Sequence, residues 1–277
     1  MNLVTPPTRP DCDAGLIIME ATDYPPMSGS NTICTVTVLL ETGMLPMREP
    51  ATTLTLDTPA GPVPVEARCR DGKVGECSSR TSRASPRISA PSLDVEGLGA
   101  IPVDVAYGGA FFAIVDAPSL GFAVEPKEAR TWSALGNRIT AAAARQLDVR
   151  HPENPDIRGV TFTEFAMPFT GPGTVSRNAV IVAPGRIDRS PCGTGTSARL
   201  AVLHARGQLA PGQGFIHESI IGSRFEAAIA GEATVGGRPA IVPTIAGQAW
   251  ITGVFQHGFD PSDPFRSGYT LPDLWGA

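Results

Sequence analysis

The chain has 277 residues, 42% of them apolar and 18% charged, with a net charge of −5. That is enough apolar content for a substantial core, and the acidic balance leaves no basic footprint, so no nucleic-acid partner is expected. The run of ~18 apolar residues that a membrane helix needs is absent, and so is a charged, then apolar, leader at MNLVTPPTRPD. Five cysteines (Cys12, Cys34, Cys69, Cys77, Cys192) form no C-x-x-C pair. They fit free thiols in a reducing cytoplasm, which is the expected location. His151, His204, His217 and His257 are scattered without metal spacing.

Residues 1–6 read as a strand and turn, and GLIIME (15–20) as a short apolar strand. Residues 32–42 are rich in Val and Thr and favour a strand on propensity, but a helix is expected there from the repeat described below. TTLTLDT (52–58) and VPVEARCR (63–70) alternate as a hairpin would. Residues 76–90, ECSSRTSRASPRISA, nearly lack bulky apolar side chains and are expected to be an exposed, poorly packed loop. Strand character resumes at IPVDVAYGG and FFAIVDA. Pro126 to Leu147 carries the longest helical pattern. VTFTEFAMPF, NAVIVAP, ESIIGSRFEAAIA, ATVGGRPAIVPTIAG and AWITGVFQHGF read as strands. With two buried helices, one long outer helix and many strands, the class is α+β.

The stretch that organises the chain is Asp188-Arg-Ser-Pro-Cys192-Gly-Thr-Gly-Thr196, leading into a helix over about 197–206 that Gly207 stops. A thiol at a helix N-terminus has its pKa lowered by the dipole, and the free N–H groups there suit a carboxylate. Cys192 therefore reads as a reactive thiolate beside an anion site. An earlier copy, Ser28-Gly29-Ser30-Asn31-Thr32, matches Cys192-Gly193-Thr194-Gly195-Thr196, with Gly43 and Gly207 at the same offset. Two lobes built alike would present two helix N-termini to one small molecule. Serine at position 28 also suits an ordinary N-cap.

At these residues the sequence resembles the proline racemase superfamily, as it does at Asp104-Val-Ala-Tyr-Gly-Gly109 and Trp250-Ile-Thr-Gly. The resemblance spans nearly the whole chain. It implies a diaminopimelate-epimerase-like fold, with each lobe a β-sheet wrapped round a central helix and the active site between them. The lobes are expected at 1–103, completed by 256–277, and at 104–255. By motif position Ser28 and Cys192 are the catalytic pair. Gly29, Ser30, Gly193 and Thr194 would hold a substrate carboxylate, and Asp188 the ring nitrogen. No cofactor and no metal are implied, the partner is a small imino acid, and a homodimer is among the assemblies implied. Relatives carry Met-Cys-Gly-His-Gly-Thr where this chain has Met27-Ser28-Gly29-Ser30-Asn31-Thr32.

One thiol suits β-elimination better than racemisation, which needs a second acid on the opposite face. Single-cysteine members of the superfamily that the chain resembles include trans-3-hydroxy-L-proline dehydratases, so the resemblance implies dehydration of that substrate to Δ1-pyrroline-2-carboxylate, which would make the chain a hydro-lyase. The alternatives are 4-hydroxyproline 2-epimerase or proline racemase, or an inactive truncated relative. Relatives carry several dozen residues before the segment matching Met1, so either the reading frame is expected to extend upstream of Met1 or this form is expected to be unstable. They also have a strand of the type Phe-x-x-Asn-Val-x-Ser-Phe at 76–90. GC-rich codons for that segment, read two nucleotides later, give VFVQNVASFAADLG, which points to a local frame disturbance.

Overall fold

Three helices thread a mainly antiparallel sheet in a computed structural model that describes residues 1–20, 24–88, 92–182 and 184–269. The strands are β1 Asn2–Thr5, β2 Ala14–Ile18, β3 Ala51–Thr58, β4 Gly61–Arg70, β5 Lys73–Arg80, β6 Ser85–Ile88, β7 Ser92–Val95 and β8 Gly99–Pro102. They continue with β9 Asp104–Tyr107, β10 Phe111–Asp116, β11 Phe162–Ala166, β12 Val175–Val182, β13 Arg186–Ile187, β14 Gly214–Glu218, β15 Arg224–Val235 and β16 Arg238–Gly247. The α-helices are α1 Gly29–Glu41, α2 Ala129–Gln146 and α3 Gly193–Ala205.

The sheet runs β1-β2-β3-β4-β5-β16-β15-β14-β12-β11-β10-β9-β6, with β13 paired to β12. Just before β6, Ala84 bridges back to Ile241 of β16. The strands from β16 round to β6 therefore wrap about α3, most of whose residues are buried. β1 to β5 curve over α1, which buries Ile33, Val36, Leu39 and Leu40 against Leu16, Ile18, Leu54, Leu56 and Val65. The fold is thus α+β with two lobes, each sheet holding a central helix. The β-branched residues of α1 oppose a helix locally, and burial on nearly all sides outweighs them. Gly43 and Gly207 stop α1 and α3 at φ +75° and +67°, as their left-handed backbone allows.

α2 lies outside, with Trp132, Leu135, Ile139 and Ala143 packed on Phe165, Val115 and Ile181. Leu93, Val95 and Ile101 join that same cluster. Ala84 packs in the cluster around α1, whereas Leu93 packs in the cluster beneath α2. Residues 256–269 supply no strand to the first lobe, and 270–277 lie outside the described residues.

Two expectations are corrected here. AWITGVFQHGF forms no strand, and Trp250, Val254, Phe255 and Phe259 are exposed. Most of the 76–88 segment is in β5 and β6 rather than in a loop. Cys77, Ser79, Thr81, Ala84 and Ser85 are buried, because small side chains fit where β5 packs on α1 and β6 closes on α3. Thr81 Oγ1 lies 2.8 Å from Ser197 Oγ on that helix. A misfit among the described residues is Arg87, whose Nε and Nη1 are buried without a hydrogen-bond partner. Residues 89 and 90 lie outside the described residues.

Candidate active site

α1 and α3 meet head to head. A Cβ built on Gly193 would sit 3.0 Å from Gly29 Cα, and one on Gly29 would sit 3.3 Å from Gly193 Cα. Only glycine at both positions lets the two N-termini approach so closely. By helix geometry the N–H groups of Gly29, Ser30, Gly193 and Thr194 have no partner within their own helices. Both dipoles add their positive ends at this point. The result is a place for one carboxylate between two helices.

The third side comes from the turn after β9. A Cβ on Gly108 would lie 2.1 Å from Thr194 O, and Gly109 (φ +118°) packs against Thr194 Cγ2. The Tyr107-Gly108-Gly109 turn therefore braces the head of α3. A cleft of about 420 Å³ opens at the junction, within the size range of small-molecule sites. Ser28, Ser30, Asp188, Cys192 and Thr194 line it, with Met27, Phe111, Phe162 and Val180 as apolar walls. All seven residues singled out in the sequence thus fall at one place, Gly29 and Gly193 being the junction itself.

Ser28 has the extended backbone of a cap (φ −150°, ψ 127°), but its side chain makes no cap hydrogen bond. Its hydroxyl instead accepts from Asn31 Nδ2 at 3.0 Å and lies 3.4 Å from Ser30 Oγ. The ordinary N-cap reading therefore does not hold. Cys192 does cap α3, its sulfur accepting from Gly195 N–H at 3.4 Å. Its φ of +64° is unusual for a non-glycine residue, a strain of order 1–3 kcal/mol that the surroundings must sustain. Ser190 Oγ accepts the Cys192 N–H at 3.1 Å. Asn178 Nδ2 and Thr196 Oγ1 both donate to Pro191 O, at 2.8 and 3.4 Å.

Asp188 Oδ1 accepts from Ser190 N–H at 2.9 Å and Ser190 Oγ at 3.0 Å. Burial raises its pKa despite those bonds. The Cys192 thiol is also pushed up, first by burial and then by the Asp188 carboxylate, while Thr194 and Gly195 N–H pull it down. Burial and Asp188 therefore oppose the thiolate that the helix N-terminus favours. A cation beside Asp188 would offset the second of these causes.

Glu164 escaped sequence reasoning, although an acid at an inward position of an apolar strand was its signal. It is fully buried behind Gly195. Phe111 and Phe162 were also missed as cleft walls, since strand aromatics resemble any core residue.

Two opposed helix N-termini with a thiol and a carboxylate beside them define a site for proton transfer at a carbon next to a bound carboxylate. The chain belongs to the proline racemase family, whose model matches residues 1–270. A probable proline racemase from Agrobacterium radiobacter with bound carbonate is 40% identical, over 100% of this chain and 81% of that one (TM-score 0.89). A hydroxyproline epimerase from Agrobacterium vitis with bound trans-4-hydroxy-L-proline is also 40% identical, over 100% of this chain and 79% of that one (TM-score 0.90). A phenazine biosynthesis protein of the PhzF family from Bacillus anthracis shares the fold at 14% identity (TM-score 0.56, covering 87% of this chain and 79% of that one). Members of the family are cofactor-independent enzymes acting on small imino acids. Among the described residues no helix is long and apolar enough to cross a membrane.

Proposed function

We propose that this chain dehydrates trans-3-hydroxy-L-proline to Δ1-pyrroline-2-carboxylate, as a cofactor-independent hydro-lyase. The observation that carries the reading is the single thiol: Cys192 heads α3, and Ser28 stands at the matching position of α1. In this reading the substrate carboxylate sits between Gly29–Ser30 and Gly193–Thr194, and the ring ammonium faces Asp188. That ammonium cancels the Asp188 charge which holds the thiol up, so binding itself helps Cys192 ionise. Cys192 then takes the Cα proton, and the carboxylate gains charge against two helix dipoles.

The electron pair left on Cα forms the Cα–C3 double bond as the C3–O bond breaks. The hydroxide leaves as water, with a proton from an acid on the Ser28 side. The enamine then tautomerises to the cyclic imine. Ser28 suits this role because Asn31 already donates to its oxygen, so its own hydrogen is directed either to Ser30 Oγ at 3.4 Å or to the leaving group. A serine hydroxyl is too weak an acid to return a proton efficiently to the opposite face of Cα.

The second reading is 4-hydroxyproline 2-epimerisation or proline racemisation, favoured by the relative that binds trans-4-hydroxy-L-proline. Product analysis by chiral chromatography, with a colour assay for the imine, separates the two. The expected result is imine from the 3-hydroxy substrate and little racemised proline, with Ser28→Cys raising epimerisation of 4-hydroxyproline. Rapid 2-epimerisation by the unmodified protein without imine would establish the second reading instead. Cys192→Ala is expected to abolish both turnover and deuterium exchange at Cα.

A further inference from the structure

Beneath the head of α3 lies a polar cluster that the reaction above does not use. Glu164 (β11) and His217 (β14) are both 0% exposed. Glu164 Oε1 accepts from Asn178 Nδ2 at 3.3 Å and faces His217 Nε2 at 3.6 Å. Its Oε2 has no partner, and it points at Gly195, where a Cβ would come within 2.9 Å. His217 Nδ1 lies 2.8 Å from Thr196 Oγ1. Asn178 and Thr196 are the two side chains that hold Pro191 O. The cluster therefore ends on the peptide bond leading into Cys192.

Burial raises Glu164 to about 8, with Arg199 the main opposing influence, and burial lowers His217 to about 3. At neutral pH the pair is then an uncharged acid beside an uncharged imidazole. A proton on Nδ1 serves Thr196, while Nε2, 3.6 Å from Glu164 Oε1, has no hydrogen-bond partner. Arg199 (α3), buried and itself acted on by Asp104, Arg206 and Asp116, is the charged neighbour of both groups. Cys192 feels Asp188 on one side and Glu164 on the other.

We propose that Glu164 is a positioning residue for Cys192. Through Asn178, which also holds Pro191 O, it pins the Pro191–Cys192 peptide in its left-handed conformation, and its own charge sets how readily the thiol ionises. A neutral Glu164 leaves the helix N-terminus free to attract anions. An ionised one places a negative charge under the site and opposes thiolate formation.

The test follows alkylation of Cys192 by iodoacetamide against pH, read by peptide mass spectrometry in the full chain. It needs no substrate, so it stands apart from the dehydratase reading. Glu164→Gln keeps an uncharged, hydrogen-bonding side chain. It is expected to melt close to the unmodified protein and to move the alkylation midpoint to lower pH. A shift of one pH unit corresponds to about tenfold faster reaction below the midpoint. An unchanged midpoint in folded Glu164→Gln would overturn the proposal. A measurement on the unmodified protein covers the case in which the variant does not fold. The infrared carbonyl band of a buried protonated carboxyl is expected at pH 6 and lost above the Glu164 midpoint; its absence at pH 6 would also overturn the proposal.

Discussion

Gly193→Ala tests whether the head-to-head contact of α1 and α3 is what binds a carboxylate. The new methyl would stand 3.0 Å from Gly29 Cα and 3.3 Å from Gly29 N, both backbone atoms that cannot rotate aside. Ordinary contact begins at 3.4 Å, so the helix heads must separate by 0.4 Å or more (3.4 − 3.0). Overpacking of this kind costs about 1–3 kcal/mol of stability. An N–H···O bond keeps its strength over only about half an ångström, from ~2.7 to ~3.2 Å. From the usual ~2.9 Å, a further 0.4 Å takes one helix's donors past that range while a carboxylate stays held by the other. A charge-assisted hydrogen bond contributes about 1.5–3 kcal/mol, so affinity is expected to fall about ten- to hundredfold. Calorimetric titration with pyrrole-2-carboxylate reads this directly. Gly214→Ala is the control, since a Cβ there meets nothing within 4 Å. Undiminished affinity in folded Gly193→Ala would show that the carboxylate is held elsewhere.

Asp188→Asn is expected to move two readouts in opposite directions. Unit charges 4 Å apart interact by about 4 kcal/mol at an effective dielectric of about 20, and a third of that already makes the thiol about tenfold more reactive, while turnover falls because the ring ammonium loses its partner. Equal falls in Cys192 alkylation and turnover would refute the assigned role of Asp188. The buried pair gives a stability profile whose sign can be worked out. His217 rises from about 3 folded to 6.5 unfolded, so the unfolded state binds the extra proton and stability climbs over that range. Glu164 falls from about 8 folded to 4.5 unfolded, so the folded state holds the extra proton and stability declines over that range. The two cancel between 4.5 and 6.5, leaving a decline from pH 6.5 to 8 of order 2 kcal/mol (1.5 units at about 1.4 per unit). Melts of Glu164→Gln across that interval are expected to lack the decline. Arg87→Leu is expected to raise the melting temperature by a few degrees, because two buried donors without partners are removed; a lower melting temperature would show that the guanidinium is satisfied in solution.

The two helix heads were legible because their chemistry is local. The repeat of (Ser/Cys)-Gly-x-x-Thr with a glycine at a fixed distance marks start and stop, whatever lies between. It also outweighed the strand propensity of the Val and Thr residues of α1, which no window of sequence could have done. What stayed hidden was set by partners distant in the chain. Cys77, Ser79 and Ala84 look like loop residues until α1 and α3 are placed against β5 and β6, where small size is the requirement. Trp250 to Phe259 look like a strand, since aromatics favour sheets, yet an exposed segment needs a neighbour to become one. Glu164 is unreadable for the same reason: its environment comes from β12, β14 and α3. The state of Cys192 followed a rule about helix ends that holds for partly exposed thiols, and here burial and Asp188 act the other way.

The difference between the two helix heads lies at one aligned position as much as at the catalytic one. Asn31 in α1 matches Gly195 in α3. Gly195 has no side chain, so its N–H meets the Cys192 sulfur on one side and the Glu164 carboxyl fits close behind it on the other. Asn31 instead sends its amide to the Ser28 oxygen. A backbone donor stabilises a sulfur anion, and a carboxyl behind it can modulate that anion. An amide donor to a hydroxyl oxygen stabilises no useful anion near neutral pH, but it fixes where the hydroxyl hydrogen can point. In the proposed reading one head accepts a proton from carbon and the other offers one to oxygen. Racemisation requires two heads of the first kind; elimination requires one of each. Restoring a thiol at position 28 alone leaves Asn31 in place, so Ser28→Cys with Asn31→Gly is expected to epimerise 4-hydroxyproline faster than Ser28→Cys. Equal rates for the two variants would show that Asn31 plays no part in the division of roles.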